Sequence, residues 1–304
     1  MSSKATVLGW IVVCASANVL AGQASNAPLP ALSATEIASR NAVARGGLQA
    51  WLKVQTLSES GTLTAGGDQR RAASPEVPGV KHPIAAKPMP ASPRLKQEAR
   101  LPFVMEMQRP RKVRLEVTFK GENSVQVYDG TNGWKFRPFL NRSDVEPYTQ
   151  NELKLASMQP DLDGPLMNYA AKGTRVELDG TEKVDGQDTY KLKLTMKDGT
   201  VTHIWINGST FLEAKVEGQP RKLDGREHPV EIYYRDFHKV DGLEFPFLLE
   251  TRVLPLKPAS AKAPVQTYSA EQVVIERVDV NPKLASSRFE KPQGQVAAIA
   301  PDKR

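Results

Sequence analysis

The chain has 304 residues, 40% hydrophobic and 25% charged, with a net charge of +7. That composition excludes a collagen-like, a wholly disordered or a polytopic membrane protein, and the length allows one large β domain or two smaller ones. Residues 66–99 hold six basic and three acidic residues and residues 281–304 hold five and two, so the basic excess sits in segments expected to be extended, and no nucleic acid partner is expected.

In chain order, residues 1–4 form a short basic region, 5–20 an apolar run, and Ala21, Gly22 and Ala24 supply the small residues of a cleavage site. Residues 1–24 therefore read as a signal peptide cut after Ala24, or alternatively after Ala21, and the mature protein is expected in the periplasm. An uncleaved membrane anchor is the competing reading. Cys14, the single cysteine, lies inside the apolar run. The mature chain is thus expected to carry no disulfide, no thiol nucleophile, no Cys-bound metal and no lipid anchor.

Residues 25–292 are expected to form one domain. Ser33 and Glu36 make a capping-box pattern before Ile37, Val43, Leu48, Trp51 and Leu52, with Gly46-Gly47 dividing the run into two short helices or one kinked helix. Residues 66–99 are rich in Pro, Ala and charge without apolar periodicity, which predicts a disordered insertion, and 293–304 predict a disordered tail. Thr149 and Glu152 repeat the capping pattern ahead of Leu153 and Ala156. After Pro160, Gly164-Pro165 start a further turn or two carrying Leu166, Met167 and Tyr169.

Elsewhere the pattern has period two. Val113, Leu115, Val117 and Phe119 alternate with polar residues, as do Tyr190, Leu192, Leu194 and Met196. Strands are further predicted over 59–65, 103–108, 124–128, 134–138, 174–183, 200–206, 212–217, 230–237, 245–254 and 267–278. Between them stand Asp129-Gly130, Asn132-Gly133, Asp179-Gly180, Asp185-Gly186, Asp198-Gly199, Asn207-Gly208 and Asp241-Gly242, dipeptides suited to tight hairpins. The expected fold is mainly β, a meander of about eleven antiparallel strands that rolls into a barrel or half-barrel plugged by the short helices, because its apolar face must be hidden.

Reactive chemistry is scarce. No G-x-S-x-G, Walker, G-x-G-x-x-G or H-E-x-x-H pattern occurs. His228 and His238 on one extended strand are about 33 Å apart and cannot share a metal. Asp161 and Asp163 beside Gly164-Pro165 read as turn and cap residues. No catalytic residue, metal site or cofactor is expected, and the chain does not read as an enzyme. The apolar inventory is more informative. Phe103, Met105 and Met107, Leu115 and Val117, Trp134 and Phe136, Trp205, and Phe245 and Phe247 place large or adaptable side chains on several strands, and a barrel of this width needs a cavity or a plug. These residues are the candidate cavity wall, and Leu153, Leu166, Met167 and Tyr169 the candidate lid.

Several segments carry a family resemblance. The runs ARGGLQAW at 44–51, MQRPRKVR at 107–114, VYDGTNGWKFRPF at 127–139, DGPL at 163–166 and VDGLEFPF at 240–247 resemble, in this order, the outer-membrane lipoprotein-sorting proteins of the LolA/LolB-like superfamily. The resemblance covers about residues 33 to 292. It implies an incomplete antiparallel β-barrel covered by helices, with a hydrophobic cavity for acyl chains, in a Gram-negative-type periplasm. The partner it implies is a lipid or acylated lipoprotein, with an inner- or outer-membrane protein as a further expected partner, and the basic excess adds weak attraction to an anionic membrane surface. The alternative function on the same fold is an envelope sensor or protein-interaction domain that moves no lipid.

Overall fold

The computed structural model describes residues 29–65, 71–72, 99–138, 142–159, 161–223, 225–256 and 266–293. The expected signal peptide, most of the 66–99 insertion and residues 294–304 lie outside them. Among the described residues no helix is long and apolar enough to cross a membrane.

The N-terminal helical run is two helices. Helix α1 (Ala34–Ala44) starts at a complete capping box between Ser33 and Glu36, and α2 (Leu48–Leu52) follows a break at Gly46 and Gly47, whose φ values are 104° and 94°. A side chain at Gly46 would collide with the carbonyl oxygen of Gly242, so glycine lets this elbow rest on a hairpin turn of the sheet. Helix α3 (Gln150–Met158) carries the second complete capping box, between Thr149 and Glu152.

The strands are β1 (Thr56–Ala65), β2 (Arg71–Ala72), β3 (Ala99–Gln108), β4 (Lys112–Phe119), β5 (Glu122–Tyr128), β6 (Gly133–Arg137), β7 (Arg142–Pro147), β8 (Arg175–Val184), β9 (Gln187–Thr195), β10 (Val201–Asn207), β11 (Glu213–Leu223), β12 (Arg226–Val240), β13 (Leu243–Val253), β14 (Gln266–Thr267) and β15 (Glu271–Val280). Thirteen of them form one antiparallel sheet in the order β7-β6-β5-β4-β3-β1-β15-β13-β12-β11-β10-β9-β8, while β2 pairs with β14 alone. The fold is mainly β with a helical lid, as expected, and the large sheet has thirteen strands where the sequence marked twelve segments. Strand β7 was missed because its sequence, RSDVEP, has neither alternation nor bulk.

Two meanders build this sheet. From β1 the chain walks outward through β3 to β7, crosses the mouth by way of α3 and residues 159–174, and walks back from β8 to β13; β15 then closes the gap between β13 and β1. Asp185-Gly186 and Asp241-Gly242 have positive φ at both positions and join β8 to β9 and β12 to β13. Asp179-Gly180 differs from its prediction. It lies inside β8, where the register against β9 shifts between Leu178 and Thr181, so it makes a bulge rather than a hairpin.

The sheet is rolled. Seven strand spacings separate β4 from β10, about 34 Å in a flat sheet, yet Val113 and Ile204 line one cavity. Part of the concave side is filled by Trp51 of α2 against Leu57, Phe103, Met167, Phe245 and Ile275, and part by Ile37 and Ala38 of α1 against Leu166, Tyr190, Leu192, Leu194, Ile204 and Ile206. The convex side has its own clusters. Val125, Val127 and Phe136 pack together with Trp134, and Trp205 packs with Val184 and Tyr233. Residues 286–289 form a single 3-10 turn whose Arg288 reaches Glu106 and Glu116 at 2.7 and 2.8 Å, beside Arg114.

Candidate functional site: a lidded apolar cavity

Between helices and sheet lies a cavity of about 650 Å³. Its floor is set by strand parity. Register places Gln126, Leu115, Met105, Glu59 and Val278 in one row across β5, β4, β3, β1 and β15, and Met107 and Leu57 lie in the next row. Ile204, Val216, Tyr234, Phe237, Phe245, Leu249 and Ile275 continue the wall. The roof is Tyr148, just before α3, with Leu155, Ala156, Gln159, Leu162 and Pro165 from α3 and the strap after it. Mostly apolar walls with a few converging polar groups are what a small-molecule site requires.

Five charged side chains line the cavity: Arg45, Glu59, Glu152, Asp161 and Glu213. Arg45, just past α1, sets its Nη1 3.1 Å from Glu213 Oε1 and donates to the Asp163 carbonyl at 3.3 Å, with its guanidinium 4.5 Å from the Trp51 ring centroid. Trp51 Nε1 donates back to the Arg45 carbonyl at 2.9 Å, so ring and cation hold each other. Glu59 differs from the rest. Among the described residues its carboxyl makes no hydrogen bond or ion pair, and the half-buried side chain faces the cavity. Burial pushes its carboxyl up to about 7, against the opposing pull of Arg45. Burial also pushes the Tyr234 hydroxyl up to about 12, helped by Glu213, and the Tyr148 hydroxyl up to about 12, helped by Glu152.

The roof is held by charges rather than by packing. No residue of α3 is buried. Lys135 Nζ donates to both Glu152 oxygens at 2.6 and 2.7 Å, and Arg111 Nη1 donates to the Ser157 carbonyl at 2.6 Å. Arg109 binds Asp161 at 2.5 Å and Asp163 at 3.0 Å, and Lys172 pairs with the other Asp163 oxygen and donates to the Gly164 carbonyl at 2.6 Å. Asp163 is 1% exposed, so its two cations are what make the buried carboxylate tolerable. A second cavity of about 740 Å³ adjoins the first and shares Gln159, Asp161, Gly164, Pro165, Val216 and Tyr234 with it, so the strap lies between the two.

The candidate residues from the sequence fall into five places. Met105, Met107, Leu115 and Phe245 line the cavity. Phe103 and Met167 fill the core beside it, with Val117 and Phe247 packed on that core. Leu166 is buried against α1 and β9, Tyr169 packs on the same cluster, and Leu153 is half-buried on α3. Trp134, Phe136 and Trp205 are on the convex side: Phe136 is opposite Val125, which is opposite Glu116, one residue out of phase with Leu115, and Trp205 alternates with Ile204. Sequence reading missed Arg45, Glu59, Glu213 and Tyr234. For Glu59 a signal existed, a carboxyl in phase with Leu57 and Leu63. Asp161 and Asp163 do work at a turn, as ligands of Arg109 and Lys172. Among the described residues no group of three or more His, Cys, Asp or Glu is placed to hold a metal ion.

No family model matches the sequence, and no curated protein matches it. Solved structures do. A LolA superfamily protein of Nitrosomonas europaea is 15% identical over 86% of this chain and 99% of its own, with a TM-score of 0.47. A DUF1329 family protein of Desulfovibrio piger is 13% identical over 84% and 97%, with a TM-score of 0.48. A putative outer membrane lipoprotein-sorting protein domain of Vibrio parahaemolyticus is 12% identical over 84% and 95%, with a TM-score of 0.45.

Proposed function

We propose that the protein is a binding or carrier protein of the cell envelope that holds an apolar chain, the acyl part of a lipid or of a lipoprotein, in the cavity beneath α3. The observation that carries this reading is the cavity itself: about 650 Å³ of space walled by Leu57, Met105, Met107, Leu115, Leu249 and Ile275 beneath helix α3, which has no buried residue of its own. That volume lies within the range of small-molecule sites. A lid fastened by ion pairs and carbonyl hydrogen bonds can open without unpacking the core, which is what loading and release demand. Export to the periplasm rests on the reading of residues 1–24 as a signal peptide. The test is organic extraction and mass spectrometry of the full chain purified from a periplasm, with uptake of a fluorescent fatty-acyl probe. Co-purified lipid or saturable uptake is expected; absence of both overturns the carrier reading and leaves the sheet as an interaction scaffold.

A further inference from the structure

The cavity's charges do not balance. Four of its five charged side chains are paired: Arg45 with Glu213 at 3.1 Å, Glu152 with Lys135 at 2.6 Å and Asp161 with Arg109 at 2.5 Å. Among the described residues Glu59 alone of these five faces the space without an ion-pair or hydrogen-bond partner for its carboxyl. Its neighbours in the floor row are Met105 on β3 and Val278 on β15, and neither can donate a hydrogen bond. Among the described residues the other charged groups of the wall, Arg45, Glu213, Glu152 and Asp161, already have partners, and Tyr128, Tyr148 and Tyr234 are phenols, which offer a hydroxyl but no positive charge.

We infer that Glu59 is the recognition group for the polar end of the ligand, and that the cavity takes an apolar chain bearing a basic amine in preference to a free fatty-acid anion. The inference rests on the cavity-binding reading above and names its ligand class. An ammonium group supplies the hydrogen bonds and the charge that Glu59 lacks, whereas a ligand carboxylate would add a second unpaired anion to an apolar floor. The global charge argues the other way, since a chain of net charge +7 attracts anions from solution. A preference for amines is therefore a local property of the wall, and it cannot arise from non-specific adsorption.

The experiment measures displacement of Nile red, a neutral dye, from the full chain by dodecylamine, dodecanol and dodecanoate at pH 8. Wild type is expected to bind the amine at least about tenfold more tightly than the carboxylate, with the alcohol between. Glu59→Gln is expected to bring the three within about threefold of one another, while Glu227→Gln, an exposed site on β12, keeps the wild-type order. Equal affinities in wild type, or tighter binding of the carboxylate, overturn the inference without any variant being needed. So does an amine preference that survives in Glu59→Gln. In those cases chain binding itself stands; if neither dye nor any chain binds, the cavity reading fails instead.

Discussion

Glu59 places a carboxyl where its charged form is poorly solvated, and the consequence is a stability that falls with pH. The folded-state value of about 7 lies above the ordinary 4.5 of an unfolded chain. Below 4.5 both states hold the proton and the group is neutral for stability. Between the two values the folded state keeps a proton that the unfolded state has released, so stability declines as pH rises and levels off above 7. The full difference corresponds to about 3 kcal/mol, an upper bound for a carboxyl open to a cavity that can admit water. Glu59→Gln is therefore expected to be more stable than wild type at pH 8, by up to about 3 kcal/mol, and to lose that advantage at pH 4.5. Urea unfolding at the two pH values decides; a constant difference between them would show that Glu59 does not titrate in this range.

The helical pieces over the mouth are two elements with opposite roles. Helix α3 buries nothing and is fastened through Lys135 and Arg111, and Arg109 holds Asp161 and Asp163 after it, while Leu166 and Met167 are 3% and 1% exposed and belong to the core. Arg111→Ala removes a carbonyl clamp on α3 without touching a buried group, so it should speed exchange of a fluorescent acyl probe and lower the melting temperature little. Leu166→Ala should do the reverse: exchange near wild type, with a loss of about 2–5 kcal/mol in unfolding free energy, the usual range for a buried leucine. Faster exchange in Leu166→Ala at unchanged stability would move the hinge of the lid into the core segment. At the β1–β3 junction, Ala65 is paired directly with Ala99, so strand geometry asks for only a two-residue connection there. Replacing residues 66–98 by Asn-Gly should change stability by less than about 2 kcal/mol; a larger loss would show that the replaced residues are packed on the domain.

The molecule as a whole depends on one strand. Among the described residues the two meanders are joined within the large sheet only by β15, which pairs with β13 on one side and β1 on the other, from the far end of the sequence. Each half alone would expose an edge and half of the concave apolar face. A chain ending at residue 265 is accordingly expected to lose the cooperative thermal transition, although every other strand of the large sheet is present; far-UV circular dichroism during heating checks this. The same topology makes the cavity. Because the sheet rolls from β4 to β10 around helices too short to fill it, space remains between floor and roof.

Local rules in the sequence determined the local structure. Ser33 with Glu36 and Thr149 with Glu152 became complete capping boxes, Gly46-Gly47 became the break between α1 and α2, and alternation located all but one strand of the large sheet. Each depends on residues within a turn or a strand, and so on nothing distant. Asp179-Gly180 marks the limit, since the same dipeptide serves a hairpin or a bulge according to what the neighbouring strand does. Which apolar residues face the cavity was decided only by tertiary structure. Trp134, Phe136 and Trp205 are as bulky as the residues of the floor, but register turns them to a convex side that has clusters of its own, so size alone does not reveal the inner face. The pairing of Arg45 with Glu213 and of Arg109 with Asp161 and Asp163 likewise joins positions far apart in the chain. Glu59 is left unpaired for the same reason: a carboxyl has a partner or lacks one only after the sheet has rolled and fixed what stands opposite it.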